Sequence, residues 1–128
     1  MKQKILVTGG TGYIGSHTVV ELQNSGYEVV IIDNLSNSSA DVVDNIEKVS
    51  GVRPIFEELD CLDYEGLNTV FAKHKGIKAI IHFAASKAVG ESVQKPLLYY
   101  RNNLLSLINI LELMPQHGVE GIVFSSSC

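Results

Sequence analysis

The segment that most constrains this chain is residues 5–15, where a short apolar run passes through four glycines into a helical pattern. The run is dense in β-branched residues, which favours a buried strand, and the pattern after the glycines favours a helix. A strand that enters a helix through such a turn presents unpaired backbone N–H groups at the helix start. These donors can bind an anion such as the pyrophosphate of a dinucleotide.

The glycines of this turn are expected to have separate roles. Gly9 and Gly10 allow a tight turn with unusual φ angles. Gly12 lets backbone N–H groups approach phosphate oxygens, and Gly15 lets the new helix lie close against the strand. The alternative is a plain tight turn with no ligand, because turns use glycine in any case.

A second apolar run covers residues 29–32 and ends at Asp33, eighteen residues past Gly15. A carboxylate at about this distance from the glycine turn binds a ribose 2′-hydroxyl in dinucleotide-binding folds. Residues 34–43 contain no Arg or Lys that could hold a 2′-phosphate. The pattern therefore predicts NAD rather than NADP. It disfavours a flavodoxin-like mononucleotide site, in which Asp33 would have no ribose to bind.

Composition limits the partners and the setting of the chain. Its 128 residues predict one domain, and a net charge of −4 without a basic patch argues against nucleic acid. The sequence contains no run of about 18 apolar residues, so no membrane span is predicted. Two cysteines, Cys61 and Cys128, make no disulfide framework, which favours a reducing, cytoplasmic setting. No metal site is expected, because metal-ligand spacing is lacking around the four histidines, which are predicted to pack or lie at the surface: His17, His74, His82 and His117.

Strand and helix patterns alternate along the whole chain. Strands are predicted at 4–8, 28–33, 54–59, 79–83 and 122–124, with helices at 12–25, 40–49, 64–74 and from Pro96 to about Pro115. Gly26, Gly51, Gly76 and Gly118 are the expected helix ends. The fold class is therefore α/β, a doubly wound parallel (Rossmann) sheet of order 3-2-1-4-5 that is truncated after strand five.

Each helix is expected to bury one apolar face. The predicted inward residues are Val42, Val43 and Ile46 in the second helix, Leu67, Val70 and Phe71 in the third, and Leu104, Leu107, Ile108 and Leu111 in the long fourth helix. Cys61 is expected to be a small apolar residue rather than a nucleophile, because no His or Lys adjoins it in sequence.

The carboxyl ends of parallel strands meet at one edge, so the residues that follow the strands should converge there. They include the glycine turn, Asp33, Asp60, Phe83 and residues 125–127. Together with residues 82–96 and 99–103, these segments resemble the UDP-glucose 4-epimerases, in the extended branch of the short-chain dehydrogenase/reductase superfamily. The likeness covers residues 4–128, and the 82–103 segment is its most specific part.

The resemblance implies a set of site residues. Ser127 matches the active-site serine of that family. The implied NAD-contacting residues are Gly9, Gly12, Tyr13, Ile14 and Gly15 at the pyrophosphate; Asp33, Asn34, Leu35, Ser36, Asn37 and Ser38 around the adenosine ribose; Asp60 and Cys61 beside the adenine; and Phe83, Ala84, Ala85, Ser86, Lys87 and Asn102 along the rest of the cofactor.

The family chemistry implied is an isomerisation of galactose metabolism. NAD takes hydride from C4 of a UDP-hexose while a tyrosine removes the hydroxyl proton, and the transient 4-keto sugar turns over before hydride returns. A nearby lysine lowers the pKa of that tyrosine. The Tyr-x-x-x-Lys pair and the UDP-sugar domain lie downstream of the serine strand in the family. We therefore expect residues 1–128 to form an incomplete NAD-binding domain that lacks the substrate domain and is inactive alone. We also expect the chain to form a homodimer or to self-associate through the uncovered edge of the sheet.

Two other functions stay open at this point. One is another extended family member, such as a nucleotide-sugar 4,6-dehydratase or a decarboxylase, against which residues 82–96 argue. The other is a truncated product without activity that serves as an NAD-binding module.

Overall fold

The computed structural model describes residues 3–9, 13–33, 41–83 and 96–125. The elements alternate along the chain as β1 (Lys4–Thr8), α1 (Tyr13–Asn24), β2 (Glu28–Asp33), α2 (Asp41–Ser50), β3 (Ile55–Glu58), α3 (Tyr64–Lys73), β4 (Ile77–Phe83), α4 (Pro96–Gln116) and β5 (Gly121–Ser125). The predicted alternation of strands and helices is confirmed.

The strands form a parallel sheet in the order β3-β2-β1-β4-β5, as predicted. The register places Thr8 of β1 between Ile32 of β2 and His82 of β4. Because every pair is parallel, all five carboxyl ends lie at the same edge. The outer strand β5 exposes Val123.

β4 begins two residues earlier than predicted. Ile77 is buried and pairs with Lys4, although the register shifts between Lys4 and Ile5. The exposed Lys78 interrupts the apolar run, so the pattern alone placed the start at Ala79. β3 is shorter than predicted, because its ladder with β2 extends only from Ile55 to Glu58.

Two apolar clusters lie on opposite faces of the sheet because alternate strand residues point to opposite sides. On one face, Leu6 and Ile80 pack with residues of α3 and α4. On the other face, Val7 and Ile31 pack with Val19 of α1 and residues of α2. The helices therefore cover both faces of the sheet, which is the doubly wound arrangement.

The predicted core residues of α2 and α3 are confirmed, with Val42 only partly buried, but the stripe predicted for α4 is wrong. Leu104, Ile108 and Leu111 are exposed, Leu104 by 59%, and Leu107 is only partly buried. Among residues 104–116 of α4, whose side chains the structure describes, the buried ones are Ile110, Leu113 and Met114. Apolar residues occupy more than one face of this helix, so two stripes have helical spacing and periodicity alone does not choose between them.

The end of α4 also differs from its prediction. Pro115 lies within the helix, which ends at Gln116. The N–H of Val119 then donates to the carbonyl of Met114 at 2.9 Å, and Gly118 has a φ of +71°. Proline in the last turn removes one helical hydrogen bond without preventing one further helical residue. Within the described ranges, no helix combines the length and the apolar character needed to cross a membrane.

Candidate functional site

Gly9 follows β1 directly and touches the two neighbouring strands. Its N–H donates to the carbonyl of Ile32 in β2 at 2.8 Å. Its φ is +74°, which confirms the predicted unusual backbone angle. A Cβ placed on Gly9 would lie 3.2 Å from Cβ and 3.4 Å from the carbonyl oxygen of Phe83 in β4. The backbone angle and this tight contact therefore both favour glycine at the point where the chain turns across the sheet edge.

Helix α1 begins shortly after this turn, at the same edge of the sheet. Gly15 in its first turn is buried, and Val19 anchors the helix in the apolar cluster of that face. The first N–H groups of a helix have no partner within it, and the helix dipole adds a partial positive charge there. The start of α1 thus has the chemistry of an anion site beside Gly9.

Asp33 is the last residue of β2 and is partly buried. Its backbone carbonyl accepts a hydrogen bond from the N–H of Leu59 at 3.0 Å. That bond ties the end of β2 to the segment from Leu59 to Asp63, here named the 59–63 turn. Asp33 is one strand away from Gly9, as the glycine and carboxylate pattern predicted.

The 59–63 turn connects β3 to α3 and is closed by its own aspartates. Oδ1 of Asp60 accepts from the N–H of Leu62 at 2.9 Å, and the N–H of Asp63 donates to the carbonyl of Asp60 at 2.9 Å. The carboxylate of Asp63 caps α3 by accepting from the N–H of Gly66 at 3.1 Å. This turn places Asp60 and Cys61 after the third strand at the carboxyl edge.

Cys61 packs against the apolar cluster of α3 and α4, so the prediction that it is a packing residue is confirmed. Burial raises the pKa of the Cys61 thiol to about 12, and the carboxylates of Asp60 and Asp33 add to the rise. A thiol with this pKa is a poor nucleophile near neutral pH. The influence of both carboxylates also places Asp33, Asp60 and Cys61 in one neighbourhood.

A buried polar pair lies beneath the glycine turn. Thr8 and His82 face each other across β1 and β4, and Oγ1 of Thr8 is hydrogen-bonded to Nδ1 of His82 at 2.5 Å. Burial lowers the pKa of His82 to about 4, so the ring is neutral at physiological pH. From the sequence, His82 is predicted only to pack or to lie at the surface. The missed signal is a histidine within an apolar strand, opposite a threonine in the parallel register.

His74 and His117 are held by side chains away from this edge. Nε2 of His74 lies 2.7 Å from a carboxylate oxygen of Glu57, and Nε2 of His117 lies 2.7 Å from Oδ1 of Asn68. Among the described residues, no three His, Cys, Asp or Glu side chains are grouped so that they could hold a metal ion.

The structure brings together Gly9, Gly15, Asp33, Asp60, Cys61 and Phe83 from the predicted set at the carboxyl edge. Tyr13 and Ile14 open α1, and Asn102 lies on α4. The remaining predicted site residues lie outside the described residues: Gly12, Asn34, Leu35, Ser36, Asn37, Ser38, Ala84, Ala85, Ser86, Lys87 and Ser127, as does Gly10 of the turn. For these residues the assigned roles stay predictions.

A parallel sheet wound in this order, with a glycine turn between its first strand and first helix, defines a Rossmann-type α/β domain. The sequence matches the NAD dependent epimerase/dehydratase family over residues 5–128, and the chain belongs to that family. It is 57% identical over 123 residues to UDP-glucose 4-epimerase of Bacillus subtilis, covering 96% of this chain and 36% of that protein. It is 51% identical over 133 residues to the human UDP-glucose 4-epimerase, covering 99% and 38%.

Solved structures of epimerases share the fold. UDP-glucose 4-epimerase of Bifidobacterium longum, in complex with NAD+ and UDP, superposes with a TM-score of 0.91 at 44% identity, over 98% of this chain and 37% of that one. The enzyme of Stenotrophomonas maltophila, with bound NAD and formylated UDP-arabinopyranose, gives 0.90 at 46% identity, over 98% and 37%. The chain thus spans a little over a third of the length of these relatives.

Proposed function

We propose that this chain is the NAD-binding portion of a UDP-glucose 4-epimerase. The observation that carries the proposal is the turn at Gly9, where a positive φ and a tight contact with Phe83 disfavour a Cβ, one strand from the Asp33 carboxylate. The start of α1 supplies N–H donors at the same edge. Family membership and relatives in complex with NAD support the same assignment.

The residues at the edge fit the parts of NAD. The glycine turn and the start of α1 would hold the pyrophosphate, and Asp33 would accept hydrogen bonds from the adenosine ribose hydroxyls. Asp60 and Cys61 would flank the adenine, and Phe83 would lie under the cofactor. When bound, NAD supplies the hydride chemistry of the epimerisation at C4 of a UDP-hexose, while the protein supplies position and charge. By its match to the family, Ser127 would hydrogen-bond near the reacting sugar hydroxyl.

The charge of Asp33 supports NAD over NADP. A carboxylate at the end of β2 attracts ribose hydroxyls but repels the 2′-phosphate of NADP. Residues 34–43 add no arginine or lysine that could offset this repulsion.

We also propose that residues 1–128 alone do not catalyse epimerisation. None of the five tyrosines, Tyr13, Tyr27, Tyr64, Tyr99 and Tyr100, has a lysine four positions on. Residues 1–128 thus lack the tyrosine–lysine pair that would remove and return the hydroxyl proton.

Calorimetric titration of NAD and NADP into the wild type, Asp33→Ala and Asp44→Ala tests the proposal. NAD is expected to bind more tightly than NADP, and Asp33→Ala should weaken NAD binding by about 1–3 kcal/mol, as for a charged hydrogen-bond partner. Asp44→Ala is the control, because this carboxylate lies on α2 and pairs with Arg53. Equal binding of both nucleotides, or no effect of Asp33→Ala, would contradict the NAD site. Turnover of UDP-galactose by the same preparations would contradict the inactivity.

A further inference from the structure

The side chain of Asn109 connects α4 to the 59–63 turn. Its Nδ2 atom donates to the carbonyl of Cys61 at 3.0 Å and to the carbonyl of Leu62 at 3.3 Å. Asn109 is partly buried and follows Cys61 by 48 residues in sequence. The contact therefore joins two elements that the chain itself does not hold together.

The chemistry of this contact is specific to an amide donor. The NH2 group of asparagine carries two N–H donors, and both partners are carbonyl oxygens that can only accept. The two acceptors thus determine that Nδ2 of the Asn109 amide, and not Oδ1, faces the turn. Removing the amide would leave two carbonyls beside α4 without this donor, at a cost because backbone carbonyls in a folded chain are normally paired.

The two carbonyls belong to the turn that carries Asp60 and Cys61. The bond from Leu59 to the carbonyl of Asp33 ties the start of this turn to β2, and the Asp63 cap ties its end to α3. Asn109 holds the residues between these two points. Its bonds therefore act on the part of the turn that lies near the Asp33 carboxylate.

We propose that Asn109 is a positioning residue whose amide holds the Cys61–Leu62 backbone against α4, so that Asp60 and Cys61 stay beside Asp33 where the adenosine half of a dinucleotide binds. The positioning of the turn follows from the hydrogen bonds of Asn109. The consequence for adenosine binding rests on the proposed function and deepens it.

Helix α4 has other attachments that do not involve the 59–63 turn. Ile110 and Leu113 are fully buried in the core. Nε2 of Gln116 donates to the hydroxyl of Tyr64 at 3.4 Å, and His117, the residue directly after the helix, is hydrogen-bonded to Asn68 of α3. Loss of the Asn109 amide should thus release the turn while α4 stays docked. Gln116→Ala is a matched control, because it removes an amide of the same helix that contacts α3 instead.

The first test needs no nucleotide. In a Cys128→Ser background, alkylation of Cys61 by iodoacetamide reports how often the turn opens. Asn109→Ala is expected to raise the alkylation rate by roughly tenfold, about the effect of losing a typical hydrogen bond or two. Asn109→Asp should behave likewise, because its carboxylate keeps the shape but cannot donate to carbonyls. Gln116→Ala should keep the wild-type rate, and an equal rise in both helix variants would overturn the proposal.

The second test separates the two halves of the cofactor. Asn109→Ala should weaken NAD binding by roughly tenfold, from the same lost bonds, and leave the affinity for nicotinamide mononucleotide unchanged, since that ligand has no adenosine. A merely structural role of Asn109 would lower the affinities for both NAD and nicotinamide mononucleotide, and that result would contradict the proposal. An alkylation rate and an NAD affinity in Asn109→Ala equal to those of the wild type would also contradict it. Failure of the wild type to bind NAD would instead contradict the proposed function, while the alkylation rates would still decide whether Asn109 positions the turn.

Discussion

Two steric conditions meet at Gly9. Its φ of +74° lies in the left-handed region, and a Cβ there would lie only 3.2 Å from Cβ of Phe83 in the neighbouring strand. Gly118 has nearly the same φ, +71°, but a Cβ there would meet no atom within 4 Å. The two glycines therefore separate the cost of the backbone angle from the cost of the close contact.

Gly9→Ala and Gly118→Ala are expected to differ in their effect on stability. Each should lose about 1–2 kcal/mol of the free energy of unfolding, because alanine is unfavourable in the left-handed region. Gly9→Ala should lose clearly more, since Phe83 must move by a few tenths of an ångström to admit the Cβ. Urea unfolding measures both values. Equal losses would show that the contact with Phe83 carries no energetic weight.

Single residues also show which parts of the candidate site could be predicted from the sequence. Gly9 and Asp33 were predictable, because a glycine turn and a carboxylate at a set distance are local signals. The contacts of Asn109 with Cys61 and of Thr8 with His82 were not, since the partners are 48 and 74 residues apart. Only the register of β1 with β4 and the docking of α4 bring these pairs together.

At the scale of elements, α4 shows where periodicity fails. In α2 and α3 the apolar residues form one stripe, and the predicted core residues Ile46, Leu67 and Phe71 are buried. In α4 the stripe through Leu104 and Leu111 has helical spacing too, yet it faces away from the sheet. The packing that selects the other stripe is a tertiary effect, which the sequence of one helix does not contain.

Truncation of one residue from each stripe of α4 measures this difference. Leu113→Ala should lose about 2–5 kcal/mol of the free energy of unfolding, because it opens a cavity in a fully buried site. Leu111→Ala should lose less than about 1 kcal/mol, because 46% of that residue is already exposed. Chemical denaturation followed by circular dichroism gives both values. Similar losses would mean that the Leu111 face is covered in solution.

For the whole molecule, the parallel sheet is what gathers the site. Strands β1, β2, β3 and β4 each end at the same edge, so short polar segments that are distant in sequence come together there. This convergence was predictable, because unbroken apolar strands alternating with helices predict a parallel sheet. The Thr8–His82 pair lies inside the sheet and was not predictable. Its buried histidine also makes the stability of the folded chain depend on pH.

Burial of His82 makes folding favour its neutral ring, since its pKa falls from 6.5 to about 4. Above pH 6.5 the ring is neutral in both states, and its full contribution to stability is present. As the pH falls from 6.5 towards 4, the unfolded chain gains a proton that the folded chain does not, so the free energy of unfolding decreases. Hydrogen bonding from His74 lowers the pKa of Glu57 below its usual 4.5, so the stability that Glu57 adds is lost as the pH falls from 4.5 through that lowered pKa, at the acid end of this range and below it.

The free energy of unfolding of the wild type is therefore expected to fall between pH 6.5 and 4 by an amount on the order of 3 kcal/mol from His82 alone. His82→Asn, which cannot titrate, should flatten this part of the curve. Thr8→Val should keep the slope, because burial rather than the hydrogen bond lowers the pKa of the ring. Urea unfolding across this range measures the slopes, and a wild-type slope in His82→Asn would assign the dependence to other groups. An NMR titration of the His82 ring tests the same point without a substitution, since a midpoint near 6.5 would show that the ring is hydrated in the folded chain.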